Sequence, residues 1–170
     1  MRRVIIFDTS ILCVWLAIPG MDVCGSAENR WDKKRIAKRI EAGFKEKALF
    51  VLPLATLIET GNHIAQASHS RKEFAEALAD LMRKSADSEA PWAAFSQQSD
   101  LWLPASLKKL ADSWPLLAAQ QISFGDATIK DVAELYHRMG FATEILTGDQ
   151  SLKAHEPLVP VAVPRRRQGR

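Results

Sequence analysis

Apolar residues along this chain fall into short unbroken runs and four-residue stripes, and the two patterns alternate. Val4-Ile5-Ile6-Phe7 is a β-rich run with no polar alternation, as a strand buried on both faces requires, so it is expected at the centre of a sheet. Residues 11–18 are helix-sized. Ile36, Ile40 and Phe44 recur at four-residue spacing through a lysine-rich segment and predict a helix with one core-facing stripe. Leu49-Phe50-Val51-Leu52 predicts a second buried strand, stopped by Pro53, with a helix carrying Leu54, Leu57, Ile58, Ile64 and Ala65 after it. Ser70 and Glu73 have capping-box spacing ahead of Phe74, Leu78, Leu81 and Met82.

Periodicity lapses over residues 85–100, which read as a surface connection or insertion. Leu101-Trp102-Leu103 predicts a short strand before Pro104, and Leu107, Leu110 and Trp114 predict a helix that Pro115 helps to end. Ile129, Val132, Ala133 and Tyr136 line a further helix, closed by Gly140 in a left-handed cap. Residues 142–147 and 158–163 predict the last strands. Strands separated by helices throughout argue for the α/β class, with a parallel sheet covered on both faces.

A length of 170 residues suits one core better than two. The chain divides into a single domain over residues 1–164 and a basic tail over 165–170. With 47% hydrophobic and 25% charged residues, collagen-like and disordered readings fail. Cys13 and Cys24 are too few for a disulfide scaffold and lack zinc-site spacing, which fits a cytoplasmic location. Both are expected to be unreactive. Met1-Arg2-Arg3 and the apolar run after it imitate a secretory signal, but Asp8 splits that run, and neither half can span a bilayer of about 20 residues. No membrane association is expected.

The net charge of +3 is unevenly placed. Arg165, Arg166, Arg167 and Arg170 account for four positive charges, and removing four from +3 leaves −1 for the rest. A second concentration comprises Arg30, Lys33, Lys34, Arg35, Lys38, Arg39, Lys45 and Lys47. Both clusters permit a polyanion partner; a solvated helix face and a tail without contacts are the plain alternatives.

Ligands of open parallel sheets bind at the carboxyl ends of the strands. Four acids are expected there: Asp8 after the first strand, Glu59 in the helix after the second, Asp126 at the start of a helix, and Asp149 after Ile145-Leu146-Thr147-Gly148. Each also has an ordinary explanation: a helix cap for Asp8, a capping box with Ser123 for Asp126, a turn for Asp149 and solvent exposure for Glu59. Together they form a carboxylate cluster, and two such charges about 4 Å apart repel by about 4 kcal/mol at an effective dielectric of 20. A hard divalent cation relieves that repulsion, and an all-oxygen donor set favours Mg²⁺ or Mn²⁺ over zinc. No Walker loop, strand-borne GxGxxG or GxSxG elbow is present.

Ile6-Phe7-Asp8-Thr9-Ser10, Leu54-Ala55-Thr56-Leu57-Ile58-Glu59, Ser123-Phe124-Gly125-Asp126-Ala127-Thr128-Ile129 and Leu146-Thr147-Gly148-Asp149 resemble, in chain order, the four acidic motifs of PIN-domain nucleases. Single-domain toxins of VapC type are the most similar members. The resemblance implies a three-layer α/β/α sandwich around a parallel five-stranded sheet. It also implies metal-dependent endoribonuclease activity with one or two Mg²⁺ or Mn²⁺ ions, an RNA substrate and an antitoxin protein; a homodimer is a further partner to consider. Asp8, Glu59, Asp126 and Asp149 would hold the metal, while Ser10 and Thr147 would orient those carboxylates, Ser10 having helix capping as its plainer role. The chain exceeds a minimal PIN toxin chiefly through residues 20–32 and 85–100, and Asp149 lacks the second acid often found just after it.

Two other readings stand beside the nuclease. One is a non-catalytic PIN-like RNA-binding or scaffold subunit. The other is a phosphatase with Asp8 as nucleophile, which is disfavoured because Ser10 occupies the place of the required second acid. His63, a helical turn beyond Glu59, and its neighbour Asn62 are candidate substrate contacts or plain surface polar residues. Of the five tryptophans, Trp92 is the one expected at a partner or RNA surface. The terminal arginines are expected to supply RNA affinity.

Overall fold

The computed structural model describes residues 2–158. From the N-terminus the elements are β1 (Arg3–Phe7), α1 (Thr9–Leu16), β2 (Val23–Cys24), β3 (Trp31–Asp32), α2 (Lys33–Lys45), β4 (Leu49–Val51) and α3 (Leu54–Gln66). They continue with α4 (Arg71–Ala86), a 3-10 helix (Phe95–Trp102), α5 (Pro104–Ala119), α6 (Phe124–Arg138), β5 (Ala142–Leu146) and α7 (Gln150–Lys153).

β1 is central, flanked by β4 and β5 and parallel to both. Its side chains alternate as the pleat requires. Val4 and Ile6 join Ile129, Val132, Ala133 and Tyr136 of α6, while Ile5 and Phe7 join the opposite cluster with Ile11, Ile36, Leu57 and Leu78. Both faces are therefore covered by helices, which is why the run lacks polar positions. The fold is α/β around three parallel strands. β2 and β3 form a separate antiparallel hairpin between α1 and α2.

Several elements depart from their sequence signals. The strand expected at Leu101-Trp102-Leu103 is instead the end of the 3-10 helix and its cap. The outer edge of β4 is already taken, since Phe50 N donates to Pro91 O at 2.9 Å and Ala93 N donates to Phe50 O at 2.8 Å. Pro104 opens α5 at its first position, where a missing N–H costs nothing. That helix runs on through Pro115 to Ala119 rather than ending there. Trp92, expected at a partner surface, is 6% exposed because its bridge to β4 turns the indole inward among Phe7, Trp15 and Phe50.

Phe44 is 53% exposed, and Gly43 takes its place on the buried face of α2. A Cβ at Gly43 would lie 2.8 Å from both Ile5 and Phe50, so the helix backbone rests directly on the sheet. The capping box at Ser70 does not form: Ser70 has φ 53° and makes no side-chain bond to the helix. The strand expected at residues 158–163 and the tail at 165–170 fall outside the described residues, apart from exposed Leu158. No described helix is long and apolar enough to cross a membrane.

Arg39 locks α2 to the sheet. Its guanidinium grips the Glu144 carboxylate of β5 with two hydrogen bonds, one of them Nε to Oε1 at 2.8 Å. Burial alone would lift the Glu144 carboxyl, but the Arg39 contacts outweigh it and hold it below the usual glutamate range. Because its acidity is increased by folding, the pair stabilises the protein at neutral pH and that contribution fades as acid protonates Glu144. Glu144→Gln is expected to cost about 2 kcal/mol at neutral pH. In thermal melts the gap to wild type should narrow below the ordinary glutamate titration range.

Candidate functional site

Strand register builds the site. Phe7 pairs with Leu146, so the next residues, Asp8 and Thr147, emerge side by side at the carboxyl ends of β1 and β5. Asp8 N donates to Leu146 O at 3.1 Å, keeping that end closed. The Asp8 carboxylate then caps α1, accepting from Thr9 N at 2.6 Å. Its other oxygen accepts from Ser10 Oγ at 2.6 Å and Thr147 Oγ1 at 2.8 Å. Asp149 N donates to Thr147 Oγ1 at 2.9 Å, so one hydroxyl ties two of the acidic segments together.

Glu59 arrives from α3, which is fastened to β1 by the Thr56 hydroxyl donating to Phe7 O at 2.8 Å. Thr9 Oγ1 donates to Glu59 Oε2 at 2.7 Å. On its other side Glu59 rests against the first turn of α6, where a Cβ on Gly125 would stand 2.1 Å from Oε1. Ser123 caps that helix, accepting from Asp126 N at 3.0 Å and donating to the Asp126 carboxylate at 2.8 Å. Asp149 caps α7 through Ser151 N at 2.7 Å.

The four acids and Ser10 line one open cleft of about 540 Å³. Met21 and Gly25 of the hairpin segment, together with Gly148, form part of its wall, and His63 and Ser123 contribute to the lining. His63 therefore shares the cleft with Glu59, whereas Asn62 does not line it. Burial raises the Asp8 carboxyl above its ordinary value and Asp126 adds to that shift, against the Ser10, Thr147 and Thr9 hydrogen bonds. Asp8 is 6% exposed, so a negative charge there is poorly solvated. Burial pushes the Cys13 thiol up to about 11, and the nearby Asp8 and Glu59 charges add to the shift, in keeping with an unreactive cysteine.

Among the described residues, no three His, Cys, Asp or Glu side chains are drawn together as a ready metal cage. Each carboxylate turns to its own donors instead. Asp8 caps α1 and Asp126 pairs with the Ser123 cap of α6, in line with their ordinary explanations, whereas Asp149 caps α7 rather than only making a turn; all three also line the cleft. Glu59 is half-buried against Gly125 rather than fully solvent-exposed. The donor set of the cleft is oxygen-rich, and a cation would favour the charged form that burial of Asp8 opposes. It fits Mg²⁺ or Mn²⁺ better than a soft metal.

Three contributors were not anticipated from sequence. Thr9 stands in the sequence only as a residue of the Asp8 motif, yet it orients Glu59. Gly125 is one position of the Asp126 motif, and a glycine inside a helical pattern is a signal of packing at close range, here against Glu59. The Met21–Gly25 wall belongs to residues 20–32, whose sequence signals only added length. Comparisons with known protein families, with curated proteins and with solved structures find no match to this chain.

Proposed function

We propose that this chain is a Mg²⁺- or Mn²⁺-dependent endoribonuclease of PIN type, acting as the toxin of a toxin–antitoxin or related defence system. The observation that carries this reading is the meeting of four acids, from four separate segments, in one cleft at the carboxyl ends of parallel strands. When bound, such an ion supplies a hydroxide at neutral pH and neutralises charge building on the phosphodiester oxygens. Asp8, Glu59, Asp126 and Asp149 hold it directly or through water. Ser10 and Thr147 fix the rotamer of Asp8, and Thr9 fixes that of Glu59. An antitoxin would act by covering the cleft, and a homodimer remains a further proposal about assembly.

Incubation of the purified protein with total cellular RNA, with and without Mg²⁺ or Mn²⁺, followed by mapping of cut ends, tests the reading. Cleavage should require the ion and vanish in Asp126→Asn. The self-capped state of the carboxylates favours a second reading, a scaffold subunit that binds RNA without cutting it. Ion-independent RNA binding with no cleavage under any ion condition would select that alternative.

Thr147→Val separates positioning from ligation. It removes the hydroxyl shared by Asp8 and Asp149 while keeping the side-chain shape. A loss of about ten- to a hundredfold in ion affinity is expected from deleting such a supporting hydrogen bond. Excess Mn²⁺ should restore much of the cleavage rate; a defect that no ion concentration repairs would contradict this role.

A further inference from the structure

Residues 20–32, the chain's own addition between α1 and α2, connect the cleft to the densest positive charge among the described residues. One end of the hairpin is seated on the loop that carries Asp149: a Cβ on Gly148 would lie 2.7 Å from Gly25 N. Gly25 has φ +89°, and a Cβ there would meet Asn29 O at 2.3 Å, so this approach needs both glycines. The other end runs without a break into α2. Asp32 closes β3 and caps the helix, accepting from Arg35 N at 2.7 Å.

That junction carries Arg30, Lys33, Lys34, Arg35 and Lys38, all exposed. None of the five takes part in an ion pair among the described residues. Further along α2 the charges are spent internally, Arg39 on Glu144 and Lys45 on Glu41. The first turn of α2 holds no acid, so Lys33, Lys34 and Arg35 face the positive end of the helix dipole, an arrangement that weakens the helix. Arg35 is also held in place: its guanidinium donates to Arg30 O at 2.7 Å and Asn29 Oδ1 at 2.8 Å, and its carbon lies 3.9 Å from the centre of the Trp31 ring. A guanidinium ordered in advance without a carboxylate retains N–H donors and a full charge for an anion, and loses little freedom on binding one.

We propose that the hairpin and the first two turns of α2 are a track along which the backbone of single-stranded RNA runs into the cleft, with Arg35 on Trp31 as its fixed phosphate contact and Lys33, Lys34 and Lys38 as mobile ones. The proposal rests on the nuclease reading of the cleft and adds the path of its substrate. Attraction is needed because the cleft itself is lined by four carboxylates. Phosphate contacts of this kind are independent of sequence, and they show in the salt dependence of binding.

The test replaces Lys33, Lys34, Arg35 and Lys38 together by Gln, a residue of similar helix propensity, so a folded protein is expected, with a melting temperature lowered only by the lost Arg35 contacts to Arg30, Asn29 and Trp31. Steady-state cleavage of an unstructured RNA oligonucleotide in Mn²⁺ is then followed over a range of KCl. The logarithmic salt slope of kcat/KM should flatten by about 0.7 per lost phosphate contact, up to about 2.8, with kcat at saturation nearly unchanged. Lys108→Gln with Lys109→Gln on α5 should leave the slope where it was. An unchanged slope in the four-site variant, or equal flattening in the α5 control, overturns the track. So does wild-type binding of polyglutamate as tight as that of RNA, which would make the ridge a docking surface for an acidic protein. Equilibrium binding of the same oligonucleotide in EDTA gives the same slope comparison without cleavage. A wild type that never cuts RNA therefore defeats the nuclease reading, while the binding slope still decides the track.

Discussion

Asp8→Asn is expected to lower ion-dependent RNA cleavage by about a hundred- to a thousandfold, the scale of losing one group that stabilises transition-state charge. Asp8 is the acid most deeply set in the cleft, and it receives three hydrogen bonds from Thr9, Ser10 and Thr147. An amide keeps one oxygen to cap α1, and the two hydroxyls can rotate to accept from its N–H. The fold should therefore survive. In ion-free buffer the variant should melt at the same temperature or a few degrees higher, because it removes a charge that burial and Asp126 disfavour. Lost activity with unchanged or raised stability is the expected pair of results. Retained activity, with contaminating nuclease excluded, would remove Asp8 from catalysis.

Gly125→Ala should do at a distance what Glu59→Gln does directly. The new methyl group would overlap Glu59 Oε1, 2.1 Å from the Cβ position, and only the flexible carboxylate end can give way. Backbone strain is small because Gly125 sits in an ordinary helical turn of α6. A stability cost below about 1 kcal/mol is expected, since alanine favours the helix and the clash is met by a side-chain rotation. That rotation breaks the Thr9 contact and moves Glu59 away from the other acids. Cleavage should fall by about ten- to a hundredfold, the usual effect of disturbing a supporting residue. Gly148→Ala makes an instructive contrast. Its methyl would meet the backbone of Gly25, which cannot rotate aside, so the melting temperature should fall as well.

The central strand, the helix–strand alternation and the four acids were legible because they depend on local signals: unbroken apolar runs, four-residue stripes, carboxylates just past strand ends for Asp8 and Asp149, and acids early in helices for Glu59 and Asp126. Their convergence in one cleft followed from the parallel order of β4, β1 and β5. What sequence could not give were long-range choices made by packing. Leu101-Trp102-Leu103 has strand composition, but Trp92 reaches the β4 edge first. Phe44 continues an apolar stripe, yet Gly43 lets α2 approach the sheet more closely than any side chain would permit. Thr9 orients an acid fifty positions away, a partner that no spacing rule indicates. The hairpin strands have two residues each, too short for any periodicity.

Asp8, Glu59, Asp126 and Asp149 are proposed to act together on one divalent cation, although each has its own hydrogen-bond or packing contacts in the folded chain. Calorimetric titration of Mn²⁺ into the wild type, Asp8→Asn and Asp126→Asn tests it most directly. Saturable binding to the wild type is expected, lost or weakened by at least about tenfold in both variants. Equal binding by all three proteins, or none by the wild type, would contradict it.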